Sequence, residues 1–427
     1  MGTRGMELFR CTGLGVWGRA GLGLCLAGGL LTFALGCSDG EVAAGVETPD
    51  ATATGGDEVV GTGGASTGGN GEATGGSGGV SATGGVMSGA TGGAVAATGG
   101  ADGATGGTDA DAAVPFADDF DFSCPALAAD TDPLPPEGER VAELVQGQDG
   151  LQLEFLEGPV WFQGREALFF SDMLVHNGTE TGQGPPARMY KLDSEGAFSV
   201  FVAEANSNGL AIGPEGDILA ATHDMQTLSH FDPDTGDRDA LDMLYNGANF
   251  NSPNDLAVRS DGTVFFTDPH WQRADRTGQA DLTGVFRRAP DGTITLLDPQ
   301  WYQPNGITLS PDERSLYVSA GGSAGVRRYT VDAAGDLSEE TQFAAASAGV
   351  DGMAVDCLGN LYVTDGEVRV YSPAGDVLGA IAVGQTPTNV AFGGVDRKTL
   401  YITTGSGSNT DGTGLYSIQL GVPGSPY

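Results

Sequence analysis

The 427-residue sequence predicts an all-β chain, a six-bladed β-propeller preceded by a signal segment and a Gly-rich disordered tether. Three observations carry that expectation. One strand–turn–strand pattern recurs six times from Glu157 onward. Its copies begin at residues 157, 208, 254, 305, 351 and 388, a spacing close to the length of one four-stranded blade. The segments between copies read as further turns and short strands, with little helix signal.

In chain order, residues 1–36 read as an export signal of the lipoprotein type. Arg4, Arg10 and Arg19 form a positive region broken only by Glu7, and an apolar, Gly-rich run follows from Ala20 to Gly36. The run stops at Cys37. The segment ALGCS resembles the lipobox of bacterial lipoproteins, in which that Cys is acylated and becomes the mature N-terminus. Ala34 stands where that motif usually has Leu, so ordinary signal cleavage and retention as a short anchor stay open. The resemblance implies lipidation at Cys37 and export to a bacterial cell envelope. Acyl chains would hold the protein at a membrane, the outer membrane being favoured over a secreted or periplasmic state. Residues 37–123 form a Gly/Ala/Thr-rich linker in which ATGG and close variants recur. Such sequence has no large apolar side chains to bury and loses the most backbone entropy on ordering, so it reads as a flexible tether.

Residues 124–427 would form the propeller. Each copy has a short apolar strand (LAI, LAV, ITL, MAV, VAF), a turn rich in Gly, Pro, Asp or Asn, and a second strand of β-branched and aromatic residues (VFFT, LYVS, LYVT, LYIT). Sheets repeated around an axis leave few exposed edges. The segment RVAELVQGQDG at 140–150 precedes the first full copy and could supply the strand that closes the ring. A stacked β-solenoid fits the uneven spacing poorly, and the GH and WD marks of the WD40 class are absent.

Composition excludes some functions. With 56 acidic and 19 basic residues, the formal net charge is −37. That disfavours nucleic acid and anionic lipid, and suits a divalent cation or a neutral or cationic small molecule. Five cysteines make no disulfide scaffold. Cys124 and Cys357 could pair in an oxidising compartment or remain buried thiols. No GxSxG nucleophile motif is present.

The first strand of a propeller blade lines the central channel. The position opening that strand gives Glu157, Asn208, Asn254, Asn305, Asp351 and Thr388 around the ring, five of six bearing a carboxylate or carboxamide. Gly follows in four copies, Asp255 in the third and Asn389 in the sixth. Hard cations take oxygen ligands, and Glu157, Asn254, Asn305 and Asp351 would supply four oxygens and two charges. One divalent ion would balance those charges in a poorly hydrated tunnel. No Cys/His cluster stands at zinc spacing.

EGPVW at Glu157, NSPNDLAVRSDGTVFFTDP at Asn251, PNGITLSPDERSLYV at Pro304, DGMAVD at Asp351 and PTNVAFGG at Pro387 closely resemble the SMP-30/gluconolactonase/regucalcin family of six-bladed propeller lactonases. The resemblance covers the chain from about Val141 to the C-terminus. It implies metal ligation by Glu157, Asn254, Asn305 and Asp351, with Ca²⁺ the usual ion and Zn²⁺, Mn²⁺ or Mg²⁺ used by some members. It implies Asp351 as the proton acceptor. Three positions depart from the family: Asn249 replaces a frequent Arg, TDPHWQ replaces TDPPYG, and HDMQ lacks a frequent basic residue after His223. The metal positions match while the substrate wall differs, so the resemblance implies lactonase chemistry without fixing the lactone.

The expected reaction is opening of a lactone, or a similar ester, by metal-activated water. Asp351 would accept the proton. Asn208 and Asp255 would position substrate or water, and His223, His270 and Trp271 would line the pocket. A monomer is favoured. Two alternatives stay open: a phosphotriesterase-type hydrolase on the same site, and a non-enzymatic, Ca²⁺-stabilised surface binding module.

Overall fold

The computed structural model of the chain describes residues 123–175, 186–241, 243–273, 276–280, 282–320, 325–344, 349–405 and 412–426. The export signal, Cys37 and the tether up to residue 122 lie outside the described residues.

The described residues form six four-stranded antiparallel sheets, the blades of a propeller. The innermost strands are Leu156–Phe162, Ser207–Ile212, Leu256–Val258, Pro304–Leu309, Met353–Val355 and Pro387–Gly393, in blades 1 to 6. Each neighbours the next around the axis, and the sixth returns to the first. These are the short apolar runs that open the six sequence copies. The ring closes as the 140–150 segment suggests. Glu143–Gln146 pairs antiparallel with Leu415–Gln419 as the outermost strand of blade 6, joining the two ends of the domain in one sheet.

The strands hold their faces by alternation. Blade 1 sends Val160, Phe162, Phe169 and Met189 against Leu210, Ile212, Ile218 and Phe231 of blade 2. Blade 3 stacks Phe266 on Phe286, and Phe250 meets both rings edge-on. Each fully buried aromatic contributes about 1.5–3 kcal/mol. A cluster of this kind fills every gap between adjacent blades.

A second device stitches the inner strands together. In blades 1, 3, 4 and 5 a small hydroxyl residue near the end of the second strand donates to the backbone carbonyl of the next blade's axis-facing residue. In blade 2, Thr222 bonds within its own blade and Gly209 N reaches Asn254 O instead. Ser171 reaches Asn208 at 2.7 Å, Thr267 reaches Asn305 at 2.7 Å, and Ser319 reaches Asp351 at 2.7 Å. Thr364 lies 3.0 Å from the Thr388 carbonyl. Thr388 then donates to Leu156 O at 2.5 Å, carrying the stitch from blade 6 to blade 1. Its hydroxyl is thereby used in closing the ring, which explains the one axis position with no carboxylate or carboxamide.

One boundary differs from expectation. Asn254 and Asp351 stand just before their inner strands, which begin at Leu256 and Met353. Their backbone N–H groups still bond Thr267 O and Thr364 O of the neighbouring strand, so the ring position is kept.

Candidate active site at the mouth of the channel

The six ring positions gather at one end of the channel. Glu157, Asn208, Asn254, Asn305 and Thr388 are buried and Asp351 is half-buried. Glycine after the ring residue lets neighbouring backbones approach. A Cβ on Gly209 would lie 2.5 Å from Asp255 Oδ1, and one on Gly306 would lie 2.5 Å from Asp351 O. Gly158 and Gly352 are hemmed in the same way by Asn208 and Asn389. Blades 3 and 6, opposite each other in a six-membered ring, have side chains there instead. Asn389 Nδ2 donates to Asp255 Oδ2 at 3.4 Å, a bond across the axis.

Three carboxyl groups therefore meet in a dry space. Burial pushes Glu157 well above the usual carboxylate range, and the charges of Asp351 and Asp255 push it further. Asp351 is raised by burial and then by Asp255, with the Asn305 amide opposing. Asp255 is raised by burial to about 6, against the pull of Leu256 N at 2.9 Å, Ile307 N and Asn389. Among the described residues no cationic side chain opposes these shifts in any of the three. Like charges packed this closely without a counter-charge are costly.

The donor set fits a hard divalent cation. Glu157 and Asp351 supply charge, and Asn254 and Asn305 supply neutral amide oxygens. Among the described residues no three His, Cys, Asp or Glu side chains cluster as metal ligands, in keeping with a set half made of asparagines. Asn208 Nδ2 is buried with no hydrogen-bond partner among the described residues. The residue stands beside this set, its backbone packed against Gly158.

The expected pocket-wall residues sit in loops at the same end, since they follow the second strands of blades 2 and 3. His223 is fully buried, and neither ring nitrogen has a partner among the described residues. Burial first, then Arg276, lowers its pKa to about 4, so the imidazole is neutral at physiological pH. His270 meets Tyr302 edge-on at 5.6 Å, and its backbone N–H donates to Gln303 Oε1 at 3.2 Å. Trp271 is 42% exposed, a rim residue. Asn249 anchors a loop: its N–H bonds Gly278 O and its carbonyl accepts from Ala280 N. That loop brings in Arg273 and Arg276, which the sequence reading does not single out. They belong to no repeated motif, and only the fold carries Arg276 beside His223 and Arg273 onto Asn251.

Beneath the floor formed by Asp255 and Asn389 the channel continues as a cavity of about 520 Å³. Its walls are mainly apolar, with Leu210, Leu256, Ile307 and Met353 among them, so it is distinct from the polar mouth. Ser123, Cys124, Ser425 and Pro426 line its far end. Cys124 and Cys357 form a disulfide there, settling a pairing that the sequence leaves open.

The family description "SMP-30/Gluconolactonase/LRE-like region" matches residues 155–406. The gluconolactonase of Zymomonas mobilis is 33% identical over 283 residues, 58% of this chain and 76% of that protein. Pentonolactonase XacC of Haloferax volcanii is 29% identical over 293 residues, 63% of this chain and 92% of its own. Among solved structures, the gluconolactonase of Xanthomonas campestris superposes with a TM-score of 0.57 at 28% identity, covering 68% of this chain and 95% of that one. On the fold, the mouth and these matches, the chain belongs to the SMP-30/gluconolactonase family of lactone-hydrolysing enzymes.

Proposed function

We propose that the protein is a metal-dependent lactonase opening sugar-type lactones, with one divalent cation, Ca²⁺ by preference, held by Glu157, Asn254, Asn305 and Asp351. The observation that carries this reading is the mouth itself: buried carboxylates with no cationic partner, next to two ring asparagines, in a lactonase-family chain. Relatives named for gluconolactone and pentonolactone hydrolysis support the substrate class.

A divalent cation at these residues would supply Lewis acidity to the lactone carbonyl and its developing oxyanion. The chain's own residues do the rest. Asn208 Nδ2, without a partner among the described residues, donates to the bound lactone or the water and orients it. Asp351 accepts the water's proton as the water oxygen bonds the carbonyl carbon. That proton passes to the ring oxygen as the ring C–O bond breaks, releasing a hydroxy acid. Asp255, fixed by Leu256 N and Asn389, sets the floor, and its charge raises the proton affinity of Glu157 and Asp351. The test is hydrolysis of a panel of aldonolactones by the full chain. Turnover abolished by chelator and restored by Ca²⁺ is expected; undiminished turnover in chelator would overturn metal dependence.

We also infer that the chain works outside the cytosol, at the cell envelope. The Cys124–Cys357 disulfide supports an oxidising compartment. Fractionation should find the protein with membranes and find a Cys37→Ser variant released from them. Equal partition of the two would contradict lipid anchoring.

A further inference from the structure

We propose that the loops of blades 2 and 3 above the ring form a pocket for an anionic group. The group is a carboxylate, sulfonate or phosphate carried by the lactone away from its reacting carbonyl. The inference rests on the lactonase reading and names the substrate class of that site.

Two sets of groups meet here. The first is neutral and buried, without hydrogen-bond partners among the described residues: both ring nitrogens of His223, beside Arg276, and Oε1 of Gln272, the residue whose carbonyl holds Arg276. Each such orphan costs about 1–3 kcal/mol unless something bonds it. The second is cationic. Arg276 is half-buried and makes three hydrogen bonds, all to backbone carbonyls: Nε to Arg273 at 3.1 Å, Nη1 to Asp224 at 3.1 Å and Nη2 to Gln272 at 3.2 Å. The Asp224 carboxylate is occupied by both Nη atoms of Arg238, at 2.9 Å each. Arg273 donates to the neutral Asn251 Oδ1 at 3.4 Å. The nearby Asp268 carboxylate is filled by Asn251 and Ser252. Neither Arg273 nor Arg276 has a carboxylate partner among the described residues.

That is unusual for a chain with 56 acids and 19 bases, in which acidic partners are plentiful. Three carbonyls hold Arg276 rigid without neutralising it, as a guanidinium prepared for an oxyanion would be held. His223, neutral beside it, can donate one N–H to the same group. A purely neutral sugar would satisfy the orphaned groups but would leave the two guanidiniums facing only Asp224 and Asp268, whose oxygens are already bonded elsewhere. An anionic substituent satisfies both sets. The two guanidiniums also set positive charge in the loop beside an otherwise acidic mouth, toward which an anionic lactone is drawn.

The test compares gluconolactone with two counterparts charged at the far end, 6-phosphogluconolactone and glucarolactone, using the full chain. The charged lactones should show the higher kcat/KM. The charged-to-neutral ratio should fall about tenfold or more in Arg276→Gln and in Arg273→Gln, through KM, and recover in part in Arg276→Lys. A ratio unchanged in both Gln variants would overturn the pocket, because a merely structural role lowers both lactones alike. Calorimetric titration of 6-phosphogluconate, which has no lactone to open, separates the two readings. Binding that Arg276→Gln weakens supports the pocket even if no lactone is turned over. No binding by a protein that does hydrolyse lactones refutes the pocket and leaves the lactonase intact.

Discussion

Blades 1, 2, 4 and 5 place glycine after their ring residue, whereas blades 3 and 6 place Asp255 and Asn389 there. The glycines exist to let neighbouring backbones close on the axis. The two exceptions sit opposite each other and meet across the channel, dividing the polar mouth from the apolar cavity below. The difference teaches that a repeat builds the scaffold and departures from it build the site. Conforming blades 1, 4 and 5 bring Glu157, Asn305 and Asp351 to the ring; blade 3 brings Asn254 together with Asp255, and blade 6 completes the floor with Asn389.

The largest effect is expected in the conforming blades, at the oxygens themselves. Asp351→Asn should lower lactone hydrolysis by roughly 10²–10⁴-fold in initial-rate assays while circular dichroism stays native, as loss of a proton acceptor does. Retention of most of the activity would remove Asp351 from the chemistry.

Next come the glycines. Gly209→Ala drives a methyl into Asp255 and the Asn254 carbonyl, so the unfolding free energy should fall by about 3 kcal/mol or more in urea melts. A drop under about 0.5 kcal/mol, typical of an ordinary surface change, would mean that close approach does not shape the ring.

His223 gives a comparison of similar size across pH. Its folded pKa, about 4, lies below the unfolded value because of burial and then Arg276. A depressed base binds fewer protons folded than unfolded, so its contribution is present above about pH 6.5 and is lost as pH falls through 4. Wild type should therefore lose up to about 3 kcal/mol relative to His223→Gln over that window. Parallel stability curves for the two proteins would show that the imidazole is not held neutral.

The smallest effect is expected from making blade 6 conform. Asn389→Gly removes the bond to Asp255 and opens the floor, at a cost of about 1 kcal/mol. No change in either stability or activity would mean that the cross-axis bond is incidental.

Much of this was legible in the sequence because the repeat writes the same physics six times. Apolar inner runs, turn residues and β-branched second strands each recur in register, so strand positions and ring closure by the 140–150 segment could be read directly. The axis residues were legible because they occupy one repeated position. What could not be read are features set by contact between distant segments. Asp255 and Asn389 lie in separate copies and meet only across a closed ring. Cys124 and Cys357, 233 residues apart, are joined by the packing of the N-terminal segment under blade 5. Arg273 and Arg276 lie in an unrepeated loop, and their lack of hydrogen-bonded carboxylate partners among the described residues is visible only once Asp224 and Asp268 are seen to be occupied.

The most direct test of the account is titration of Ca²⁺ into metal-stripped full-chain protein while lactone turnover is followed, with Glu157→Gln alongside. Saturable activation by one ion per chain in the wild type, weakened strongly in Glu157→Gln, is the predicted result. Turnover that ignores Ca²⁺ and chelator and is unchanged in Glu157→Gln would contradict a cation-centred site at the mouth of the propeller.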